Sequence, residues 1–224
     1  MPNKKTYWII LSIIIIIILF FAVKYSLDSQ KSNVRSNQDY LKISSDEPLK
    51  GSPNASTTLI IYSDPSCPFC AATAGQNQPV ISLLKSKMPD WQVPLPNIIK
   101  NYVDTGKVKL VFRYFPGHGT GEEAMKILFC ANEQGKFWEL HDAVFAHQEI
   151  VADIAQVKLL AQNINIDMTK LDACYSSNKY ASKLKQDSTS GQALGVKGTP
   201  AFFINGQLIS GAQPYQVFEK ILNQ

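Results

Sequence analysis

Thr58-Leu59-Ile60-Ile61-Tyr62-Ser63-Asp64-Pro65-Ser66-Cys67-Pro68-Phe69-Cys70-Ala71-Ala72 carries the pattern on which the reading of this chain turns. The first five residues are a short, β-rich apolar run, the signature of a buried strand. Ser63 to Ser66 break the run. Ala71, Ala72 and Ala74 then favour helix, and Pro68 suits a first helical position, where its missing N–H would be unpaired anyway. Cys67 is therefore expected at the amino end of a helix. Backbone N–H groups and the helix dipole favour a thiolate there, lowering its pKa and making it a good leaving group. Cys70 falls one turn later, near enough to close a disulfide and more deeply buried. A lone CxxC is also half of many zinc sites. Here no second CxxC follows, the other cysteines stand singly at 130 and 174, and His118, His141 and His147 make no finger spacing. The pair reads as redox-active. No metal and no cofactor are expected, and a CxxC module holding copper or zinc is the distant alternative.

Ala201–Ile204 and Leu208–Ser210 read as two short strands, with Asn205-Gly206 between them as a hairpin signal. Pro200 has two readings. It opens a strand, or it forms a cis peptide in a tight turn beside the reactive cysteine. Val108–Phe115 alternates as a central strand, whereas Pro89, Trp91, Pro94 and Pro96 suggest a helix end and an irregular surface loop. Glu122–Asn132 and Lys136–Gln148 read as helices, followed by helices begun by Asp153 and Asp167 and a last one over Tyr180–Leu194. Cys130 and Cys174 lie in this helical block. They are either two buried small residues or, given an oxidising compartment and an even cysteine count, a structural disulfide. His141 reads as a hydrogen-bonding residue, Trp138 as core and Asp64 as a turn or capping residue.

The amino end sets the compartment. Tyr7–Val23 is 17 uncharged residues interrupted only by Ser12, spanning about 25 Å as a helix. Lys4, Lys5 and Lys24 flank it, and Tyr7 and Trp8 suit the headgroup level. A cleaved signal peptide is the alternative, but Lys24 stands where a small residue is wanted. The division is a cytoplasmic stub at 1–6, a transmembrane signal anchor at 7–23, a polar tether at 24–56 with a short strand near Tyr40–Ile43, and a globular domain at 57–224. The protein is then a single-pass membrane protein with its body on the extracytoplasmic side.

Composition excludes other classes. The chain has 224 residues, 45% hydrophobic and 18% charged, enough apolar material for one core and too much for a disordered chain. Residues 1–57 carry +3 of the net +4, so the body is nearly neutral and offers no footprint for nucleic acid.

The combined pattern resembles the DsbA-like branch of the thioredoxin superfamily. The resemblance rests on Leu49 to Ala55, the strand before Asp64, Cys67-Pro68-Phe69-Cys70, Tyr102 to Pro116, Gln134 to Asp142, and Gly191 to Tyr215, and it covers about residues 49–224. It implies an α/β thioredoxin fold with a helical insertion at about 117–190 and a cis peptide between Thr199 and Pro200 facing Cys67. Cys67 would then be the nucleophile and Cys70 the resolving cysteine, with Pro68 and Phe69 between them. Thr199 and Pro200 would pair with an extended substrate strand. Reduced, unfolded proteins are the implied substrates, and a DsbB-like or vitamin-K-epoxide-reductase-like membrane quinone reductase the implied partner. The activity implied is disulfide formation, with reduction or isomerisation as the alternative. Two departures stand out: family members carry a buried acid in the strand before the cysteines, where this chain has Leu59-Ile60-Ile61-Tyr62, and roughly Gly75 to Gln92 is longer than the family's usual stretch.

Overall fold

The computed structural model describes residues 8, 13, 15–25, 38–117 and 119–224. Two compact units are distinguished, 1–42 and 43–224. In the first, residues 15–25 are helical and 38–40 form a short helical turn, so the strand expected near Tyr40–Ile43 is absent. The expected anchor at 7–23 falls partly outside the described residues. Among the described residues no helix is long and apolar enough to cross a membrane. Residues 1–6 and His118 also lie outside them.

The second unit is built on a five-stranded sheet. Its strands are β1 (Leu49–Lys50), β2 (Thr57–Ser63), β3 (Val108–Tyr114), β4 (Ala201–Ile204) and β5 (Gln207–Ser210), in the spatial order β1-β3-β2-β4-β5. β2 is central, and Leu59 to Ser63 are all buried, because helices cover both faces and leave no polar alternation to keep. It runs parallel to β3, from Thr57 opposite Val108 to Ser63 opposite Tyr114, and antiparallel to β4, with Tyr62 opposite Ala201. The chain therefore leaves β2 beside the residue that opens β4. That register brings residues 64–67 next to Pro200. The β4–β5 turn has positive φ at Asn205 (47°) and Gly206 (89°), the pair of left-handed residues that matches strand twist in a two-residue hairpin.

The helices are α1 (Pro68–Thr73), α2 (Gln78–Lys87), α3 (Pro94–Ile98, continued by a π-helical turn to Val103), α4 (Glu122–Asn132), α5 (Phe137–Ala146), α6 (Ile154–Asn163), α7 (Met168–Ser176), α8 (Ala181–Ala193) and α9 (Tyr215–Leu222). Asp153 caps α6 by accepting from the N–H groups of Ala155 and Gln156, and Asp167 caps α7 through Lys170. Leu59, Leu110, Phe112 and Phe202 of the sheet share one continuous core with Ile127, Leu140, Val157 and Leu171 of the inserted helices. A disulfide joins Cys130 on α4 to Cys174 on α7.

Two expectations are corrected. The tether expected to reach residue 56 ends earlier: the compact unit begins at Ile43, Leu49–Lys50 pairs with β3, and Glu47 is buried. Glu47 goes inside because the Arg113 guanidinium needs it there, 2.5 Å from its Oε1. The surface loop expected around Pro89–Pro96 is anchored instead. Trp91 is buried, its indole N–H donates to the Ala212 carbonyl at 3.0 Å, and Pro94 opens α3, where a proline is tolerated.

The face of the sheet opposite the main core carries a buried ionic group. Arg113 pairs with Glu47 and donates to the Tyr62 hydroxyl, while Lys183 pairs with both Asp187 and Glu47. Removing one member of such a set leaves an uncompensated charge in a dry site, at a cost of about 3–5 kcal/mol. Arg113→Met is expected to lower unfolding stability by roughly that amount. Denaturant titration of the oxidised protein measures it, and a loss under about 1 kcal/mol would show that the group is solvated.

Candidate redox site

The polypeptide turns sharply after β2. The Asp64 carbonyl accepts the Cys67 N–H at 3.0 Å, and Cys67 itself is the N-cap of α1, with Pro68 at the first helical position. Cys67 and Cys70 are both free thiols and both buried, whereas Phe69 between them is 41% exposed. The Cys67 sulfur donates to the Thr199 carbonyl at 3.4 Å, across a cis Thr199–Pro200 peptide. Cys67, Cys70, Pro68, Phe69, Thr199 and Pro200, drawn together from two chain segments, thus meet at one place. Cys130 and Cys174, bound to each other, are not part of it.

The two sulfurs are electrostatically unequal. The Cys67 pKa is lowered from 9.0 to about 5. The largest cause is a hydrogen bond from the Cys70 side chain, opposed by burial and assisted by the Thr199 side chain and the N–H groups of Cys70 and Phe69. Cys70 moves the other way. Burial pushes its thiol well above the ordinary range, and the neighbouring Cys67 pushes it further. Ser63, the last residue of β2, and the Asp64 backbone are the groups that favour a Cys70 thiolate. Such a pair holds one proton, on the inner sulfur.

Around the pair, Gln148 was not singled out by sequence, and Asp64 does more than sequence indicated. Gln148, just after α5, donates through Nε2 to the carbonyls of Pro65 (2.7 Å) and Cys67 (2.9 Å) and accepts from Asn77 at 3.0 Å. No local signal marks it. Asp64 does organise its own turn, accepting from the N–H and hydroxyl of Ser66 at 2.8 and 2.7 Å, but it also accepts the Gly117 N–H at 2.6 Å. The run Gly117-x-Gly119-x-Gly121 was the available hint of a close approach. His141 is buried, 2.8 Å from Asp142 and stacked on Phe145 at 4.1 Å, and Phe145 packs with Cys67, Cys70 and Ala71. Among the described residues no group of three or more His, Cys, Asp and Glu is arranged to hold a metal ion.

This geometry has counterparts among known proteins. A family model described as thioredoxin matches residues 44–87 and 90–224. The Na(+)/H(+) antiporter NhaA 3 of Salinispora tropica is 28% identical over 172 residues, 75% of this chain but 23% of the antiporter. The chain thus spans under a quarter of the length of such relatives. The probable disulfide bond formation protein D of Bacillus anthracis is 26% identical over 214 residues, covering 87% of this chain and 85% of that one. Among solved structures, α-DsbA1 of Wolbachia pipientis superposes with a TM-score of 0.68 at 22% identity, covering 84% of this chain and 94% of the other. BdbD of Bacillus subtilis gives 0.62 at 21% identity, covering 80% and 91%. The fold is thus the DsbA-type α/β thioredoxin fold with its helical insertion. With the family model spanning most of the sequence, including the Cys67–Cys70 turn and the Thr199–Pro200 loop, the chain belongs to the thioredoxin family.

Proposed function

We propose that the chain is an extracytoplasmic thiol:disulfide oxidoreductase that introduces disulfides into secreted or surface proteins through Cys67 and Cys70. The observation that carries this reading is the Cys67 thiol, lowered to about 5 and set against Thr199–Pro200. In the oxidised pair, a substrate thiolate attacks Cys67. The Cys67–Cys70 bond breaks and its electron pair leaves on Cys70, whose high pKa makes it take up a proton. A second substrate thiolate then attacks the mixed disulfide, forms the substrate's own disulfide and releases Cys67 as a thiolate. Two electrons have passed to the pair. Because the folded site stabilises that thiolate, the dithiol state is favoured and the disulfide is a strong oxidant.

The Thr199–Pro200 loop offers backbone groups to an extended, unfolded substrate, giving affinity with little sequence preference. The apolar run 7–23, with its flanking lysines, supports a retained anchor that keeps residues 1–6 in the cytoplasm and the catalytic unit outside. Turnover then draws on a membrane quinone reductase of DsbB-like or vitamin-K-epoxide-reductase-like type to reoxidise the dithiol.

Thiolate absorbance of the reduced protein is expected to titrate with a midpoint near 5. The folded value lies below the unfolded 9.0, so the thiolate's contribution to stability is full above pH 9.0 and is lost as pH falls through about 5. The melting temperature of the reduced form should therefore climb relative to that of the oxidised form across this window. A midpoint like that of a free thiol, about 8.5, would sink the reading.

Cys70→Ser is expected to accumulate mixed disulfides with cysteine-containing secreted proteins, and Cys67→Ser none, as read on non-reducing gels. If neither variant traps substrate, exchange through Cys67 is excluded. Equilibration with glutathione should give a reduction potential well above the thioredoxin value of about −270 mV, whereas a value near it assigns a reductase.

A further inference from the structure

We infer that Asp64 is a positioning residue whose buried carboxylate ties the Cys67 turn to Gly117 and so sets the sulfur against the Thr199–Pro200 edge on which a peptide is aligned. This deepens the disulfide-exchange reading above and rests on it.

Asp64 has no exposed surface. A carboxylate in such a place is retained only with its lone pairs engaged. One oxygen, Oδ1, serves the local turn by accepting from the N–H and hydroxyl of Ser66. The other does something a turn residue has no need to do. Oδ2 reaches across 53 positions of sequence to accept the Gly117 N–H at 2.6 Å. Charge-assisted bonds of that length are among the stronger polar contacts in a protein.

What Gly117 touches gives the bond its meaning. A Cβ added there would collide with the Thr199 hydroxyl oxygen and would lie 3.4 Å from both Asp64 Oδ2 and the Cys67 Cβ. The backbone at Gly117 is therefore wedged between the cysteine, the carboxylate and the threonine of the cis peptide. Gly121 makes the same close approach from the other side: a Cβ there would collide with Asp64 Oδ1 and lie 3.0 Å from Pro65. Two glycines are spent on letting the backbone close over one carboxylate. The Thr199 hydroxyl meets this backbone at Gly117 and also favours the Cys67 thiolate, so a shift at Gly117 is passed to the cysteine through Thr199. Without the carboxylate, the Cys67 turn and the Thr199 edge lose the piece of backbone that spaces them.

Two substrates of different demand test this on the full oxidised chain: an extended peptide with two reduced cysteines, and dithiothreitol, which needs the sulfur but no peptide edge. Asp64→Asn replaces one accepting oxygen by a donor. Gly117→Ala leaves the carboxylate intact and pushes on Thr199. With the oxidised chain as the stoichiometric oxidant in single turnover, the ratio of peptide to dithiothreitol second-order rate constants is expected to fall by about tenfold or more for each variant, the equivalent of one lost charged hydrogen bond, with the loss in the half-saturating peptide concentration. A ratio within about twofold of wild type overturns the assignment, whether both rates hold or both fall together. If Asp64→Asn does not fold, Gly117→Ala decides by the same criterion. A wild-type chain inert toward both substrates sinks the exchange reading itself, and this one with it.

Discussion

A negative charge on the Cys67 sulfur has to be held in a place where burial works against it, and the fold is organised around meeting that demand. Burial alone would raise the thiol's pKa, as it does for Cys70. The balance is reversed at Cys67 by donors from several sources: the Cys70 side chain, the Thr199 side chain, and the amide groups at the start of α1. Thr199 lies 132 positions away in sequence. It arrives there because β2 pairs on one side with β3 and on the other with β4, so that both the exit from β2 and the entry to β4 fall at the same end of the sheet. The sheet register is in this sense part of the chemistry. A slip of one residue in β4 would turn every side chain over and withdraw the threonine.

The far face of the sheet secures the same arrangement by polar means. Lys183 and Asp187 of α8 close a buried network with Glu47 and Arg113, and Asp187 also accepts the N–H of Tyr114 at the end of β3. Two residues further along β3 and its continuation stands Pro116, and then Gly117, wedged against Cys67 and Thr199. From its other end, α8 leads into the loop that carries the cis peptide. An ionic group of this kind adds little net stability compared with an apolar replacement, but it restricts which arrangement of helix and strand is tolerated. Near a site that depends on spacing, restriction is the more useful property.

Much of this was readable in the amino-acid order, and what was not has a physical reason. The strand at 58–62, the helix start at Cys67, the hairpin around Asn205-Gly206 and the caps at Asp153 and Asp167 are local events. Their causes lie within a few residues, in apolar runs, proline at a helix start, left-handed turn residues and side chains that accept backbone N–H groups. Gln148, Glu47 and the second role of Asp64 are not local. Each makes its deciding bond to a group between 53 and 83 positions away, and a lone glutamine or glutamate in a polar stretch looks the same whether it faces water or a carbonyl. The early start of the compact unit was missed for the same reason. Ser, Asn and Asp around Glu47 have tether composition, and only the buried guanidinium explains why that stretch is drawn in. Trp91 was misplaced because neighbouring prolines indicate irregular backbone but not exposure, and its indole found a carbonyl at Ala212.

The asymmetry between the two sulfurs also argues for a direction of electron flow. In thiol–disulfide exchange the sulfur that leaves best is the one whose thiolate is most stable, and the sulfur that is attacked is the one the partner can reach. Cys67 has the more stable thiolate and faces the Thr199–Pro200 edge, so under the proposed exchange a mixed disulfide would form there and be given up to a second thiol. Resolution from within, by Cys70, is opposed: that thiol is deep, its thiolate is disfavoured, and Ser63 and the Asp64 backbone offset this only in part. A reductase or isomerase needs the inner sulfur to attack promptly and end a stalled mixed disulfide. β2 itself is apolar through Leu59, Ile60 and Ile61, and the buried Asp64 carboxylate just beyond it is engaged by Ser66 and Gly117. On the proposed reading, an inner thiol held protonated beside an outer thiolate fits a catalyst that hands its disulfide on.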